Sequence, residues 1–394
     1  MQLRYQFRLY PTPGQQVALA KAFGCARVVY NDGIRAREQA RRAGLPYIRD
    51  TELQTRLTVV AKQTPERAWL ADVSADVLIQ SIRDMHTAYR NFFSSLSGKR
   101  KGPKLGPPKL KSKHRGQAIR FTRNGFRLRG NGRLFLAKVG EMRVVWSREL
   151  PAAPSSVTAI KDRAGRYFAS FVVEIDTKPL PEAKAEVGID LGLNAYAVDS
   201  HGRRIDNPRF LRNHERRLRR AHKALSRKAK GSANRAKARL RVALAHARVA
   251  DSRRDWLHQT TTRLIRENQA IYLEDLAVSG LARTWLAKSV HDASWGTFRR
   301  MLAEKAARHG RLVAVIGRFE PTTKRCSACG AVKGKVPLAQ RTYQCDHCGL
   351  VLDRDHNAAL NILAAGQAER LNACGGDIRP RFVGAVAGET GTHP

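Results

Sequence analysis

Acidic residues are scarce in this 394-residue chain, which carries 33 Asp and Glu against 73 Lys and Arg. The formal net charge at pH 7 is therefore +40. A folded protein with so large an excess of one sign repels itself, and a polyanion relieves that repulsion by neutralising it. The scarcity of acids therefore predicts a nucleic acid as the binding partner.

Long apolar runs are absent as well. The sequence has no uninterrupted apolar span of about 18 residues, which is the length that a transmembrane helix needs. It opens with no apolar signal sequence, and neither end carries a lipidation motif. A membrane surface is therefore disfavoured as the polyanionic partner, and we expect a cytoplasmic, nucleoid-associated prokaryotic protein.

Cysteine is also rare, and four of the six cysteines form two Cys-x2-Cys pairs separated by fifteen residues: Cys326, Cys329, Cys345 and Cys348. This spacing is typical of a zinc ribbon, in which four thiolates hold one Zn²⁺ tetrahedrally. Two disulfides are the alternative. The remaining Cys25 and Cys374 have no obvious partners, however. Two Cys-x2-Cys pairs in a reducing compartment favour a metal site over disulfides.

The periodicity of apolar residues divides the rest of the chain. Residues 3–10 alternate like a half-buried strand, and residues 15–42 and 74–93 have helical spacing. A Lys/Gly/Pro run over 98–113 predicts a basic linker between domains. From 118 to 176 the period becomes two, with short strands between Gly and Asn turns, which predicts a small barrel that the first strand joins.

Three acidic residues occupy positions that suit a metal site. Asp190 interrupts an apolar strand, Glu274 ends a second buried strand, and Asp355 begins a helix directly after the second cysteine pair. Each acid alone has an ordinary alternative, namely a turn hydrogen bond, a solvated strand end or a helix cap. Together they favour a two-metal nuclease centre in a ribonuclease-H-like sheet. The neighbouring Asp275, Asp353 and His356 are predicted not to be ligands.

Several runs of the chain resemble the TnpB family, the RNA-guided nucleases encoded by insertion-sequence transposons and related to type V CRISPR effectors. The resemblance rests on residues 5–13 (YQFRLYPTP), 23–31 (FGCARVVYN), 88–93 (AYRNFF), 294–298 (SWGTF) and 353–359 (DRDHNAA). It implies that Asp190, Glu274 and Asp355 are the RuvC-type catalytic triad. In that role Asp190 would bridge two Mg²⁺ ions, and the other two carboxylates would complete the oxygen ligands.

The resemblance also implies a multidomain α+β fold, in which a wedge barrel contains an inserted helical recognition domain and a RuvC nuclease domain contains an inserted zinc ribbon. The expected boundaries are 1–12 for the first barrel strand, 13–110 for the helical domain, 111–182 for the rest of the barrel, 183–322 for the first part of the nuclease domain, 323–350 for the ribbon, 351–371 for the last nuclease helix, and 372–394 for a disordered tail.

The function implied by the resemblance is cleavage of double-stranded DNA that matches a guide RNA and lies beside a short motif. The expected partners are a guide RNA from the protein's own locus and the target DNA, and we expect a monomer. A miniature CRISPR effector and a non-cleaving, guide-dependent regulator remain alternatives. Base pairing to the guide would read the target sequence, while the protein reads the adjacent motif.

Two basic regions provide candidate nucleic-acid contacts. The stretch from 209 to 254 contains almost no acids besides Glu215 and Asp251, so internal salt bridges cannot neutralise it. We therefore expect its cations to contact phosphate. The candidate residues in the two regions are Gln80, Arg83, Arg90, Arg216, Arg220, Lys223, Arg227 and Lys228.

Overall fold

The computed structural model of the chain describes residues 1–113, 116–177, 179–337 and 339–373. They form two compact units, one over Met1–Asp176 and one that begins at Thr177. The tail predicted over 372–394 lies outside the described residues, apart from the backbone of residues 372–373. Within the described ranges, every helix is too short or too polar to cross a membrane.

The first unit contains a seven-stranded antiparallel sheet. Its strands are β1 (Gln2–Tyr10), β2 (Gln117–Thr122), β3 (Phe126–Leu128), β4 (Leu134–Leu136), β5 (Gly140–Val145), β6 (Pro154–Lys161) and β7 (Tyr167–Glu174). The spatial order is β2-β6-β7-β1-β5-β4-β3. The first strand therefore pairs with β7 and β5 near the middle of the sheet, as the sequence predicts.

The sheet is strongly curved because its two edge strands are consecutive in the chain. Only a single 3-10 turn over Arg123–Gly125 separates β2 from β3, although they lie at opposite ends of the strand order. The edges must therefore come close together, which makes the sheet nearly closed. Phe7, Phe121 and Phe171 are fully buried in its interior, where side chains of alternating strand positions converge.

Three helices lie between β1 and β2 in the chain: α1 (Pro13–Arg42), α2 (Asp50–Thr58) and α3 (Ala75–Leu96). Thr12 begins α1 with a capping box, because its hydroxyl accepts from the N–H of Gln15 while the Gln15 side chain accepts from the N–H of Thr12. Helix α3 packs along α1 through buried Leu78, Ile82 and Met85. Both long helices predicted from the sequence are confirmed.

The second unit contains a five-stranded sheet made of β8 (Glu186–Leu191), β9 (Ala195–Asp199), β10 (Arg204–Asp206), β11 (Ala270–Glu274) and β12 (Leu312–Ile316). The order is β10-β9-β8-β11-β12. Strands β8, β11 and β12 run parallel, and the hairpin β8-β9-β10 is antiparallel. A separate two-stranded sheet pairs β13 (Thr342–Gln344) with β14 (Val351–Asp353).

The helices of the second unit are α4 (Phe210–Ser226), α5 (Ala233–Glu267), α6 (Val278–Leu281), α7 (Ala287–Ala293), α8 (Trp295–His309) and α9 (Arg354–Ala373). Helix α5 extends beyond the basic stretch that ends at residue 254 and reaches Glu267. This extension occurs because Leu264 and Ile265 pack into the core beneath the sheet, where Trp295 and Phe298 of α8 are also buried.

Candidate active site

Two parallel strands place Asp190 and Glu274 side by side. Leu273 of β11 pairs with Ile189 of β8, so the next residues along the two strands are Glu274 and Asp190. Residues in register on neighbouring strands point to the same face and lie about 5 Å apart. The carboxyl ends of two parallel strands therefore present two acids to one side of the sheet.

Helix α9 brings the third acid to this face because two glycines let it approach the sheet unusually closely. A Cβ atom built on Gly188 of β8 would lie 2.2 Å from the carbonyl oxygen of Ala359 and 2.5 Å from the amide nitrogen of Leu363. A Cβ atom on Gly366 would lie 2.1 Å from the ring of Tyr272 on β11. Backbone thus packs directly on backbone at Gly188 and on an aromatic ring at Gly366, which glycine alone permits.

The start of α9 separates the roles of its two acids. The Asp353 carboxylate accepts from the N–H groups of Asp355 and His356, each at 3.0 Å, which is the pattern of an N-cap residue. It also lies 3.3 Å from a guanidinium nitrogen of Arg204. Asp353 is therefore occupied in starting the helix. The Asp355 carboxylate makes only long ion pairs, at 3.6 Å to Arg354 and 3.9 Å to Arg341, and it acts electrostatically on Asp190. The prediction that Asp353 is not a ligand is consistent with this arrangement.

The electrostatics show that the three acids share one environment. Burial raises the pKa of Asp190 to about 7, and the nearby carboxylates of Asp355 and Glu274 add to this rise. Burial also raises the pKa of Glu274, with a further contribution from Asp275. Within the described part of the chain, neither the Asp190 nor the Glu274 carboxylate accepts a hydrogen bond or forms an ion pair. The charge of Arg354 lowers the pKa of Asp190, but burial and the two neighbouring acids outweigh it. A divalent cation would relieve this excess of buried negative charge.

The carboxylates are nevertheless not drawn together as tightly as ligands of a single ion. Among the described residues, only the four ribbon cysteines form a group whose ligand atoms all lie within 4.8 Å of one another. A two-metal centre holds its ions about 3.5–4 Å apart, so its outer carboxylates are spaced more widely than the ligands of one ion. The donor set, three carboxylates without nitrogen or sulfur, fits Mg²⁺.

The neighbouring residues have structural partners. Asp275 pairs with Arg299 at 3.2 Å and Arg318 at 2.6 Å. The ring of His356 lies 3.2 Å from the carbonyl oxygen of Ser200 and packs over Gly202. The contacts of Asp275 and His356 are therefore to the protein itself, and their assignment as non-ligands stays a prediction.

The four cysteines form a compact sulfur cluster, with all four sulfurs within 4.8 Å of one another. The Cys326–Cys348 and Cys329–Cys345 sulfur pairs are each 3.6 Å apart. A disulfide bond is about 2 Å long, whereas four sulfurs at about 2.3 Å from a zinc ion lie roughly 3.8 Å from one another. The spacing therefore excludes the two-disulfide alternative for these cysteines and fits Zn²⁺.

Each cysteine pair is shaped by a glycine that directly follows it. Gly330 and Gly349 have φ angles of 77° and 75°, and their N–H groups donate to the carbonyls of Cys326 and Cys345. A positive φ at this position closes the turn that turns both thiols inward, and it is a conformation in which glycine is unstrained. The full motif is therefore Cys-x2-Cys-Gly, and the two glycines are a second sequence signal besides the spacing of the cysteines.

Two buried asparagines on α9 connect the segment that carries the first cysteine pair to this helix. Asn357 accepts from the N–H of Ser327 at 3.0 Å and donates to the carbonyl of Arg325 at 2.8 Å. Asn361 donates to the carbonyls of Thr322 and Arg325. Both side chains lie one turn apart on the helix that carries Asp355. In the sequence, their spacing of four residues indicates that they share one helix face. It does not show which residues they contact.

Seven of the eight predicted nucleic-acid contacts are exposed. Arg83 and Arg90 lie on α3, and the other five lie on α4 or directly after it: Arg216, Arg220, Lys223, Arg227 and Lys228. Within the described ranges, none of these seven residues forms an ion pair. Gln80 differs, because it is 5% exposed and its amide lies 3.4 Å from Asp76. It offers no surface for a ligand unless the helix moves.

The comparisons with known proteins agree with this site. Residues 1–45 match a family model described as "Helix-turn-helix domain", residues 170–284 one described as "Probable transposase", and residues 295–362 one described as "Cas12f1-like, TNB domain". The chain is 43% identical over 385 residues to a Streptomyces pristinaespiralis protein named as a candidate RNA-guided DNA endonuclease, with 96% of this chain and 92% of that protein covered. The chain belongs to the TnpB family.

Other members and solved structures extend the comparison. This TnpB-family chain is 31% identical over 389 residues to Escherichia coli InsQ, also named as a candidate RNA-guided DNA endonuclease, with 94% of this chain and 93% of that protein covered. Its fold is similar to a Cas12f1–sgRNA–target DNA complex, at TM-score 0.53 and 11% identity, covering 88% and 82% of the two chains. It is similar in fold to the mini-RNA-guided endonuclease Cas_phi3, at TM-score 0.52 and 9% identity, covering 93% and 92%.

Proposed function

We propose that this protein is an RNA-guided DNA endonuclease encoded by an insertion-sequence transposon. It cleaves double-stranded DNA that matches its guide RNA and carries a short adjacent motif. The observation that carries the proposal is the convergence of Asp190, Glu274 and Asp355, which are all partly buried and of which Asp190 and Glu274 form no ion pair in the described residues. Relatives that match nearly the whole chain are named for this activity.

The fold supports assigning the second unit as a RuvC-type nuclease domain. Three parallel strands joined to an antiparallel hairpin, in the order β10-β9-β8-β11-β12, make the sheet of a ribonuclease-H-like domain. The cysteine cluster between β12 and α9 is then an inserted zinc ribbon, and the nearly closed sheet of the first unit is the wedge barrel. The helices inserted after its first strand are the recognition domain.

The three carboxylates would hold two Mg²⁺ ions, which supply an activated water and stabilise the leaving 3′-oxygen when bound. Asp190 interacts electrostatically with both of the other acids, and it would hold the ions together with them. The chain positions these groups through the β8–β11 register and through the glycine contacts of α9. We propose direct hydrolysis by the activated water, which leaves a 5′-phosphate and a 3′-hydroxyl.

The charge of the chain supports an RNA as a permanent partner. The chain has a net charge of +40, and exposed cations occur on both units, so they are not confined to the surface around the carboxylates. The guide RNA, transcribed from the protein's own locus, would cover much of this surface. Zinc would stabilise the ribbon that α9 holds beside Asp355.

The decisive experiment reconstitutes the protein with a guide RNA whose 3′ or 5′ guide segment is replaced by a chosen sequence. With Mg²⁺ present, we expect cutting of a plasmid that carries the matching target and a library of adjacent motifs, and no cutting of a mismatched target. The matched control is the Asp190→Ala protein with the same RNA. Cutting of every duplex at one rate, or full activity after the RNA is digested, would refute the RNA-guided function.

A further inference from the structure

Phe319 is the most exposed large apolar side chain among the described residues, at 94%. No ring contact or cation–π contact with another described residue involves it. Single exposed apolar residues are common on protein surfaces and by themselves mean little. Phe319 differs because it lies three residues after the end of β12, in the sheet that carries Asp190 and Glu274.

The turn that displays Phe319 is fixed on both sides. The N–H of Glu320 donates to the carbonyl of Gly317 at 3.2 Å, which closes a β-turn with Arg318 and Phe319 at its central positions. Arg318 pairs with Asp275 at 2.6 Å, and Glu320 pairs with Arg325 at 2.7 Å. The neighbours of Phe319 are therefore held by the protein, while its ring is left to solvent.

This turn lies close to the carboxylates. Ile316, the last residue of β12, pairs with Glu274 on β11. Phe319 is three residues further on, which is at most about 10 Å of chain. The anchoring pair between Arg318 and Asp275 reaches back to the residue directly after Glu274. A base within about three stacked nucleotides of the cleaved phosphate, at about 3.4 Å each, can therefore meet this ring.

We propose that Phe319 binds the DNA substrate by stacking on an unpaired base of the strand that enters the carboxylate site. This inference rests on the proposed nuclease function. An aromatic face with cations beside it, here Arg318 and Arg299, is the usual surface for single-stranded nucleic acid, since every base has a π-face and every linkage a phosphate. A protein partner would need a contiguous apolar patch, whereas charged Arg318 and Glu320 flank Phe319.

Stacking of one base on an aromatic side chain is worth enough to change binding of the strand about ten- to hundredfold. Phe319→Leu removes the π-face and keeps an apolar side chain, so it should slow single-turnover cleavage by roughly that factor. Phe319→Tyr keeps the ring and should restore the rate. Because the side chain is 94% exposed, neither substitution disturbs a core contact. Leu371→Ala, at an apolar position 74% exposed on α9, is the matched control and should cleave like the wild type.

A direct measurement uses the Asp190→Ala protein in complex with its guide RNA and a target that carries 2-aminopurine at successive positions near the cut. We expect stacking to quench fluorescence at one or two positions, and Phe319→Leu to remove the quenching at those positions alone. If Phe319→Leu cleaves at the wild-type rate and the fluorescence profile is unchanged, the role of Phe319 is refuted while the nuclease assignment stands. If Asp190→Ala itself still cuts the target, the nuclease assignment fails instead.

Discussion

Gly188 of β8 lies directly beneath Ala359 of α9, so close that a Cβ atom at Gly188 would stand 2.2 Å from the Ala359 carbonyl oxygen. This contact sets the height of α9 above the sheet. The height in turn decides whether Asp355, at the start of the same helix, reaches the two acids on β8 and β11. Gly188 has no functional side chain, but the absence of a Cβ atom allows the three acids to assemble.

Gly188→Ala should therefore reduce cleavage far more than a methyl group ordinarily would. The overlap forces α9 away from the sheet, at a cost of about 1–3 kcal/mol or more in stability. A displacement of about 1 Å at a catalytic group can lower the rate about a hundredfold. Gly296→Ala is the control, because its Cβ would meet nothing within 4 Å and it lies on α8. Equal activity of the two variants would show that α9 does not need this close approach.

The triad assignment predicts a sharp difference between Asp353 and Asp355. Asp190→Ala, Glu274→Ala and Asp355→Ala should each lower cleavage by more than about a hundredfold, since ligands matter at least as much as the groups that orient them. Guide-dependent DNA binding, measured by gel shift, should remain. Asp353→Ala should cost about 1 kcal/mol as a lost N-cap, and Asp353→Ser should recover most of it. An active Asp355→Ala beside an inactive Asp353→Ser would reverse the assignment.

The sulfur cluster predicts one tightly bound zinc ion for each chain. Metal analysis of the purified, reduced protein should find it, and Cys345→Ser should lose it together with the fold of the ribbon. Cys25→Ala is the control, because Cys25 is buried among apolar residues of the first unit and should leave the zinc content unchanged. Stoichiometric zinc in Cys345→Ser would contradict a four-thiolate site.

The exposed cations of α4 predict a specific change in salt dependence. Replacing Arg216, Arg220 and Lys223 together by Gln should lower the slope of log affinity against log salt by about 2–3, as each phosphate contact contributes about 0.7–0.9. The cleavage rate at saturating complex should change little. Arg300→Gln is the control, because Arg300 pairs with Glu304 on α8. An unchanged slope in the triple variant would place the nucleic acid elsewhere.

Lys305 predicts a rise of stability with pH. Burial lowers its pKa to about 8, with help from Arg266 and Arg308, while its ammonium donates to Thr261, Thr262 and the carbonyl of His258. Between about pH 8 and 10.5 the unfolded chain binds more protons at this residue than the folded one, so the free energy of unfolding increases with pH.

Denaturant unfolding of the wild type at pH 7.5 and 9.5, in salt high enough to screen the net charge, should therefore show this increase. Relative to Lys305→Met, the wild type should gain roughly 1–2 kcal/mol over the two pH units. A difference between the wild type and Lys305→Met that stays constant over this interval would mean that Lys305 keeps its ordinary pKa in the folded protein.

The helices and strands of this protein could be predicted from the sequence because they depend on local patterns, and local patterns also selected the candidate site residues. Period-two alternation fixed β1 and the strands from 118 to 176, and helical spacing fixed α1 and α3. The spacing of Cys326, Cys329, Cys345 and Cys348 specified a four-thiolate cluster. Asp190 and Glu274 could be selected because each is an acid in or at the end of an apolar strand. A buried charge there is destabilising unless it is paired or binds a metal.

Only the tertiary structure decided how these pieces meet. No local pattern shows that Gly188 and Gly366 form the contact that lowers α9 onto the sheet, because the residues that meet there are more than 90 positions apart in the chain. The assignment of Asp353 as the helix cap and Asp355 as the candidate ligand follows from the tertiary structure, because the Asp353 carboxylate accepts the first N–H groups of α9. The burial of Gln80 and the exposure of Phe319 likewise depend on what packs around them, which is a property of the folded chain rather than of the residue type.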